Sequence, residues 1–340
     1  MNVTRRFQPI TRRRALSIIA ASATLPLARS GAAGAEVGPP AMRWQGIALG
    51  AEAELTIHVS DSARSAAMIS ACLAEIARLE RIFSLHQPDS ALCQLNRHGR
   101  LHQPPMDLVR LLSQALTLSE LSEGHFDPSV QPLWCLIARH FTHEEANPDG
   151  PDRATLLAAR NLVDWRLIDV SPQEIVLRKP GMQLTLNGMA QGYISDRVGD
   201  LLKNEGLTHA LINLGECLAL DRRADGSAWR IGIPDPAERS RLIETVELKD
   251  GAVATSAARG LVFGPSARFN HIVDPVRLAC ADAQRSVSVL APSAATADGL
   301  STFGALTSDI EGQLAPLLIK FEARAFVVSA DNPAGRWLTA

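Results

Sequence analysis

From Arg166 onward the chain breaks into short β-like runs, at 166–170, 174–178, 182–186, 209–214, 228–233, 243–248 and 286–290. Helical stretches interrupt them at about 190–205, 293–307 and 309–321. Strands and helices thus mix without the strict alternation of a doubly wound parallel sheet, and the pattern predicts an α+β fold. Upstream, Ala53, Leu55, Ile57 and Val59 alternate with polar residues, as a half-buried strand does. Ser62 to Phe83 carries apolar residues at helical spacing (Ala66, Ile69, Leu73, Ile76, Leu79). A polar loop from Ser84 to Gly99, a helix from about Asp107 to Glu123 and a loop at 142–152 complete the outline. With 340 residues, no internal repeat and no clear linker, one compact unit is expected.

The N-terminus reads as an export signal, with residues 36–46 a Gly/Pro-rich flexible lead-in. Arg12-Arg13-Arg14 precede an apolar run from Ala15 to Ala28, too short for the ~20 residues that span a bilayer. Ala33-Gly34-Ala35 fits a small-residue cleavage site. The paired arginines and weakly hydrophobic, Ala-rich core resemble a twin-arginine signal, with an ordinary secretory signal as the alternative. Residues 1–35 hold six arginines and no acid, so removing them leaves 28 basic against 36 acidic residues, a formal charge of −8. A domain that acidic is a poor polyanion binder, which disfavours nucleic acid. No later segment is apolar enough to cross a membrane, so the expected location is the periplasm. Five cysteines (Cys72, Cys93, Cys135, Cys217, Cys280) lack metal or redox spacing and read as small apolar residues, with no disulfide assignable.

Five polar clusters fall where loops meet regular elements, where functional groups are commonly placed. Phe83 to Ser90, with His86 and Pro88-Asp89-Ser90, reads equally as a helix-capping turn. Gly124-His125-Phe126-Asp127-Pro128 is a turn that Asp127 caps or that carries function. In Leu186-Asn187-Gly188-Met189-Ala190-Gln191-Gly192-Tyr193, glycines at a helix start offer close backbone approach and free N–H groups, suiting a phosphate. It matches neither dinucleotide fingerprint nor P-loop. Asn270-His271-Ile272-Val273-Asp274 pairs an imidazole with a carboxylate, for proton transfer or for structure. In Ala297-Asp298-Gly299-Leu300-Ser301-Thr302, Asp298 and Thr302 are four apart on one helical face. A carboxylate and a hydroxyl so placed suit a hard ion such as Mg²⁺, although an Asp at a helix start is also a routine cap.

Together and in order, the segments FSLHQPDSALCQLN, GHFDPSVQPLW, LTLNGMAQGY, LINLGE, WRIGIPDP, VATSAARG, NHIVDP and ADGLST resemble the ApbE family, the FAD:protein FMN transferases, over residues 42–328. The resemblance implies an α+β domain at 47–330 with a flavin site between two subregions. It implies cleavage of FAD and attachment of FMN, through its phosphate, to a Thr or Ser in a D-G-x-[ST]-G-[AS]-[ST]-like segment, with release of AMP. By motif position, Mg²⁺ would be held by Asp298, Thr302, Ser301 and the Gly188 carbonyl, with His271 handling the acceptor proton. Leu49, His86, His125, Phe126, Asp127, Thr185, Gln191 and Ile272 fall where the family contacts FAD. Two departures stand out. The family usually has an Asp six residues before a Lys or Glu, and here those positions are Thr185 and Gln191. Its double glycine is Gly215-Glu216. The N-G-x-A-Q-G-Y version resembles the NosX-like subgroup, whose acceptor would be a membrane flavoprotein of nitrous-oxide respiration. An FAD pyrophosphatase and a non-catalytic FAD carrier are the alternatives.

Overall fold

The computed structural model describes residues 41–48, 51–59, 61–143, 145–238, 240–264 and 267–338. The leader at 1–35 and Leu49 lie outside these residues. The described chain opens on strands β1 (Ala41–Ala48) and β2 (Ala51–His58), followed by helices α1 (Ser62–Phe83) and α2 (Ala91–His98). Strand β3 (Arg100–His102), helices α3 (Met106–Leu121), α4 (Gln131–His140) and α5 (Arg153–Arg160), and strands β4 (Ile168–Val170) and β5 (Glu174–Leu177) come next. Helix α6 (Ala190–Asn204) leads to β6 (Ala210–Asn213), β7 (Cys217–Leu220), β8 (Trp229–Pro234), β9 (Leu242–Leu248) and β10 (Gly251–Ala257). The last third holds β11 (Val273–Asp274), β12 (Ala279–Cys280), β13 (Ser286–Ala291), α7 (Ala294–Leu306), α8 (Ala315–Lys320), β14 (Arg324–Val328) and β15 (Arg336–Leu338).

The fold is the expected mixed α+β architecture. Eight strands form one sheet in the order β1-β2-β6-β7-β10-β13-β14-β15, every neighbouring pair antiparallel. Both faces are covered, so β6, β7 and β13 are buried throughout rather than alternating. Ile212, Leu218, Ala252, Val287 and Val289 face the main core with residues of α1, α6 and α7. Their neighbours Leu211, Cys217, Val253 and Leu290 face a second core closed by Trp229, Ile231, Ile233 and Val246 of the β8–β9 hairpin. No helix of the described residues is long and apolar enough to cross a membrane. All five cysteines are free, and burial pushes the Cys72 thiol up to about 12.

Three segments depart from the sequence reading. Residues 41–46, expected as a flexible lead-in, belong to β1, which pairs with β2 over its whole length. The polar stretch 84–99 contains α2, started by Ser90 accepting from Cys93 N and ended by Gly99 at φ +69°. The run 182–186 is not a strand: its only ladder contact is a bridge from Gln183 to Val130. The Asn96 side chain serves both backbone groups of Leu184, donating to its carbonyl at 2.8 Å and accepting from its N–H at 2.6 Å. Thr185 N donates to Pro128 O at 2.8 Å. A side-chain amide thus replaces the partner strand.

Helices α6 and α7 approach each other at their N-terminal turns. A Cβ on Gly192 would lie 2.3 Å from the Ala294 carbonyl oxygen, so only glycine permits the crossing. Asp196 of α6 accepts from the N–H groups of Ala294 (2.7 Å) and Ala295 (2.9 Å) at the start of α7. Asp298 of α7 accepts in return from Gly192 N of α6 at 3.2 Å. Each helix caps the other.

Two measurements check this arrangement. Gly192→Ala meets backbone atoms that no rotamer change can move, and urea unfolding should show a loss of at least about 1–3 kcal/mol. Burial holds the Asp196 carboxyl up at about 6, above its ordinary 3.8. A carboxyl raised in the folded state contributes stability that is complete below its ordinary pKa and is lost as pH rises through the folded value. The stability advantage of the wild type over Asp196→Asn should therefore shrink between about pH 4 and pH 7, followed by thermal unfolding in chelator.

Candidate functional site

The α6–α7 crossing sets two helix N-termini, with their positive dipole ends, beside each other, and Asp196 and Asp298 pair N–H groups across it. Asp298 is buried there at 5% exposure, and burial together with the nearby Asp196 carboxylate holds its pKa well above the ordinary range. Thr302 lies one helical turn further along α7. A Cβ on Gly188 would come within 3.3 Å of Thr302 Oγ1 and 3.1 Å of the Phe126 ring, so the backbone at 188 lies against both. Ser256 Oγ, on β10, contacts Ser301 Oγ at 2.8 Å and Thr302 Oγ1 at 3.3 Å. Ser301 Oγ also reaches the Asp298 carbonyl at 2.9 Å, which ties it to the helix backbone.

This donor set is all oxygen: a carboxylate, hydroxyls and the backbone at Gly188. Among the described residues no three His, Cys, Asp or Glu side chains cluster to hold a metal by themselves. The set therefore fits a hard cation such as Mg²⁺, which takes one or two carboxylates and completes its shell with water and phosphate oxygens. Glu216 strengthens the fit. It is 3% exposed, its Oε2 has no hydrogen-bond partner, and burial plus the Asp298 charge push its pKa well up. The spot is rich in negative groups and short of positive charge.

Around it the structure gathers the sequence-predicted residues unequally. His125 Nδ1 lies 2.8 Å from Asp274 Oδ2, joining the GHFDP and NHIVDP segments. Arg277 Nε donates to the same Asp274 oxygen at 2.6 Å, and its Nη2 donates to the Leu306 carbonyl at the far end of α7. Phe126 and Ile272 are buried, Ile272 against Ala305 and Leu306 of α7. Gln191 lies against the β6–β7 turn, its Nε2 donating to Leu214 O at 3.3 Å. Thr185 is half-buried beside Pro128 and accepts from Asn187 N at 3.3 Å. His271 Nδ1 contacts the Leu261 peptide, 3.2 Å from its oxygen and 3.3 Å from its nitrogen, which fixes the ring. Asp127 has both carboxylate oxygens engaged, one by Ser129 N and Oγ and the other by Trp165 N, so its side chain holds the turn together. His86 is exposed in the loop before α2, and its backbone N–H donates to Ser84 Oγ.

Sequence reasoning did not single out Asp196, Ser256 or Glu216 for the site. Ser256 stood inside VATSAARG and Asp196 just beyond LTLNGMAQGY, but nothing in their spacing says that they meet α7. Glu216 was visible only as a departure from a double glycine.

Residues 49–313 match the model of the ApbE family. A curated relative from Treponema pallidum, named FAD:protein FMN transferase, is 31% identical over 268 residues, covering 71% of this chain and 72% of its own. A protein of the same name from Klebsiella pneumoniae is 25% identical over 252 residues, covering 71% of each chain. Among solved structures, the ApbE protein of Thermotoga maritima aligns with a TM-score of 0.75 at 25% identity, over 88% of this chain and 97% of its own. The likeness extends through the segments that converge on the α6–α7 crossing, and on these grounds the chain belongs to the ApbE family.

Proposed function

We propose that this chain is an FAD:protein FMN transferase that uses Mg²⁺ and releases AMP. The observation that carries the reading is the Gly188 backbone lying against Thr302, one helical turn from the buried Asp298 that accepts from Gly192 N. An acceptor Thr or Ser oxygen attacks the FMN-side phosphorus of FAD. A new P–O bond forms to the acceptor, the pyrophosphate P–O bond breaks, and AMP departs with the bonding pair. Such a transfer needs positioning and charge stabilisation more than a covalent enzyme intermediate. Asp298, Thr302, Ser301 and the Gly188 carbonyl would hold Mg²⁺, which supplies charge neutralisation to the phosphates when bound. The positive dipole end at the start of α6 suits phosphate oxygens. His271, with its ring fixed against Leu261, takes the acceptor proton at its imidazole. The His125–Asp274 pair, Phe126 and Ile272 are assigned to FAD contact, with His86, Asp127, Thr185 and Gln191; Leu49 is assigned by motif position alone.

The leader at 1–35 supports export to the periplasm, by the twin-arginine route, and so an acceptor segment presented there by a membrane-associated flavoprotein. The NosX-like N-G-x-A-Q-G-Y segment supports nitrous-oxide respiration as its setting. The neutral Thr185 and Gln191 favour a second reading, a non-catalytic FAD carrier. The buried, cation-poor carboxylates argue against it, because a carrier has no use for a metal-polarised phosphate.

Incubation with FAD, Mg²⁺ and a soluble acceptor bearing D-G-x-T-G-A-T tests the proposal by intact mass and by fluorescence after denaturation. Covalent FMN on the acceptor, absent with chelator, is the expected result. AMP release without labelling would make the chain a pyrophosphatase, and FAD binding with neither would make it a carrier. Asp298→Ala should abolish Mg²⁺-dependent transfer while circular dichroism stays native. His271→Asn should slow transfer by about 10²–10⁴-fold, as loss of a general base does, with FAD affinity changed far less.

A further inference from the structure

Glu216 stands at the end of the β6–β7 turn, after Gly215 at φ +108°. Its side chain is buried at 3% exposure. The Thr255 N–H donates to its carboxylate, while Oε2 is enclosed without a hydrogen-bond partner. Among the described residues Glu216 makes no ion pair, and the charge that acts on it is another carboxylate, Asp298. The neighbouring Gln191 is neutral and gives its Nε2 to Leu214 O.

The surroundings connect this group to the cation donors. Thr255, which holds the Glu216 carboxylate, precedes Ser256, whose hydroxyl touches both Ser301 and Thr302 on the helix that carries Asp298. A buried carboxylate with an idle oxygen and a like charge beside it is costly, and a neutral glutamine would fit the same space at lower cost. Burial of this kind is relieved by a cation that both carboxylates share. Hydroxyls and backbone oxygens nearby match the hard-ion preference, and they leave a shell that one carboxylate does not neutralise.

We infer that Glu216 is the second carboxylate of the cation site, contributed by the β6–β7 turn and holding one divalent ion jointly with Asp298. The inference rests on the Mg²⁺ reading above and adds to it a residue from a different strand pair. It makes the ion a bridge between the sheet and helix α7.

Binding of Mn²⁺ to the purified protein, followed by electron paramagnetic resonance of the free ion and by Mg²⁺ competition, tests it without any turnover. The wild type should bind one Mn²⁺ that Mg²⁺ displaces, Asp298→Asn should lose it, and Glu216→Gln should weaken it at least ten-fold. Wild-type affinity in Glu216→Gln, with binding lost in Asp298→Asn, overturns the role of Glu216 and leaves the Asp298 site standing. No saturable binding by the wild type overturns the Mg²⁺ reading and the role of Glu216 with it. If Glu216→Gln does not fold, Glu216→Asp decides: weakened binding supports the inference, and unchanged binding overturns it.

Discussion

The mutual capping of helices α6 and α7 is the contact on which the rest of the site depends. Asp196 closes the start of α7, Asp298 closes the start of α6, and Gly192 lets the two backbones come within touching distance. A cap ordinarily comes from the residue just before its own helix. Here Ser293 caps α7 in that way, and each helix start also borrows a carboxylate across a tertiary contact. The far end of α7 is held as well, because Arg277 and Arg285 donate to the Leu306 and Thr307 carbonyls. Positive side chains at a helix C-terminus are favourable in their own right. Asp298 therefore projects from a helix fixed at both ends.

Electrostatics gives this rigidity its use. Asp298 and Glu216 are buried and Asp196 half-buried, with Asp298 acting on Glu216 and Asp196 on Asp298, and desolvation raises all three pKa values. Helix N-termini offset part of that negative charge, but partial charges do not neutralise several carboxylates. The arrangement favours whatever brings positive charge, and it then favours the anionic phosphates that such an ion attracts. Gathering carboxylates at a site in this way costs stability of the fold at the same atoms.

Much of this was legible in the sequence, and the missing part has a common cause. The helical spacing of Ala66, Ile69, Leu73, Ile76 and Leu79 gave α1 because periodicity is a local property. Asp298 and Thr302 were legible as a pair for the same reason, being one turn apart. The run 182–186 misled because its apolar alternation is real, while its hydrogen bonds go to the Asn96 side chain 88 positions earlier. Strand β1 was obscured by the Gly/Pro-rich stretch before it. Asp298 acts electrostatically on Glu216 from a distant element, and the register that sets β7 beside β10 is written in no single segment. Where residues act alone or within one turn the sequence suffices, and where two distant elements meet it does not.

The central sheet also sets an order of events in time. Strand β2 pairs with β6, Leu55 opposite Ile212, so its partner is synthesised about 150 residues later. Until then β2 has only β1 and the following helix to pack against, and its free edge is open to wrong partners. Sheets closed by such distant pairings form slowly, because a long loop must be ordered before any contact rewards it. The β6-side edge of β2 is thus left long without its native neighbour.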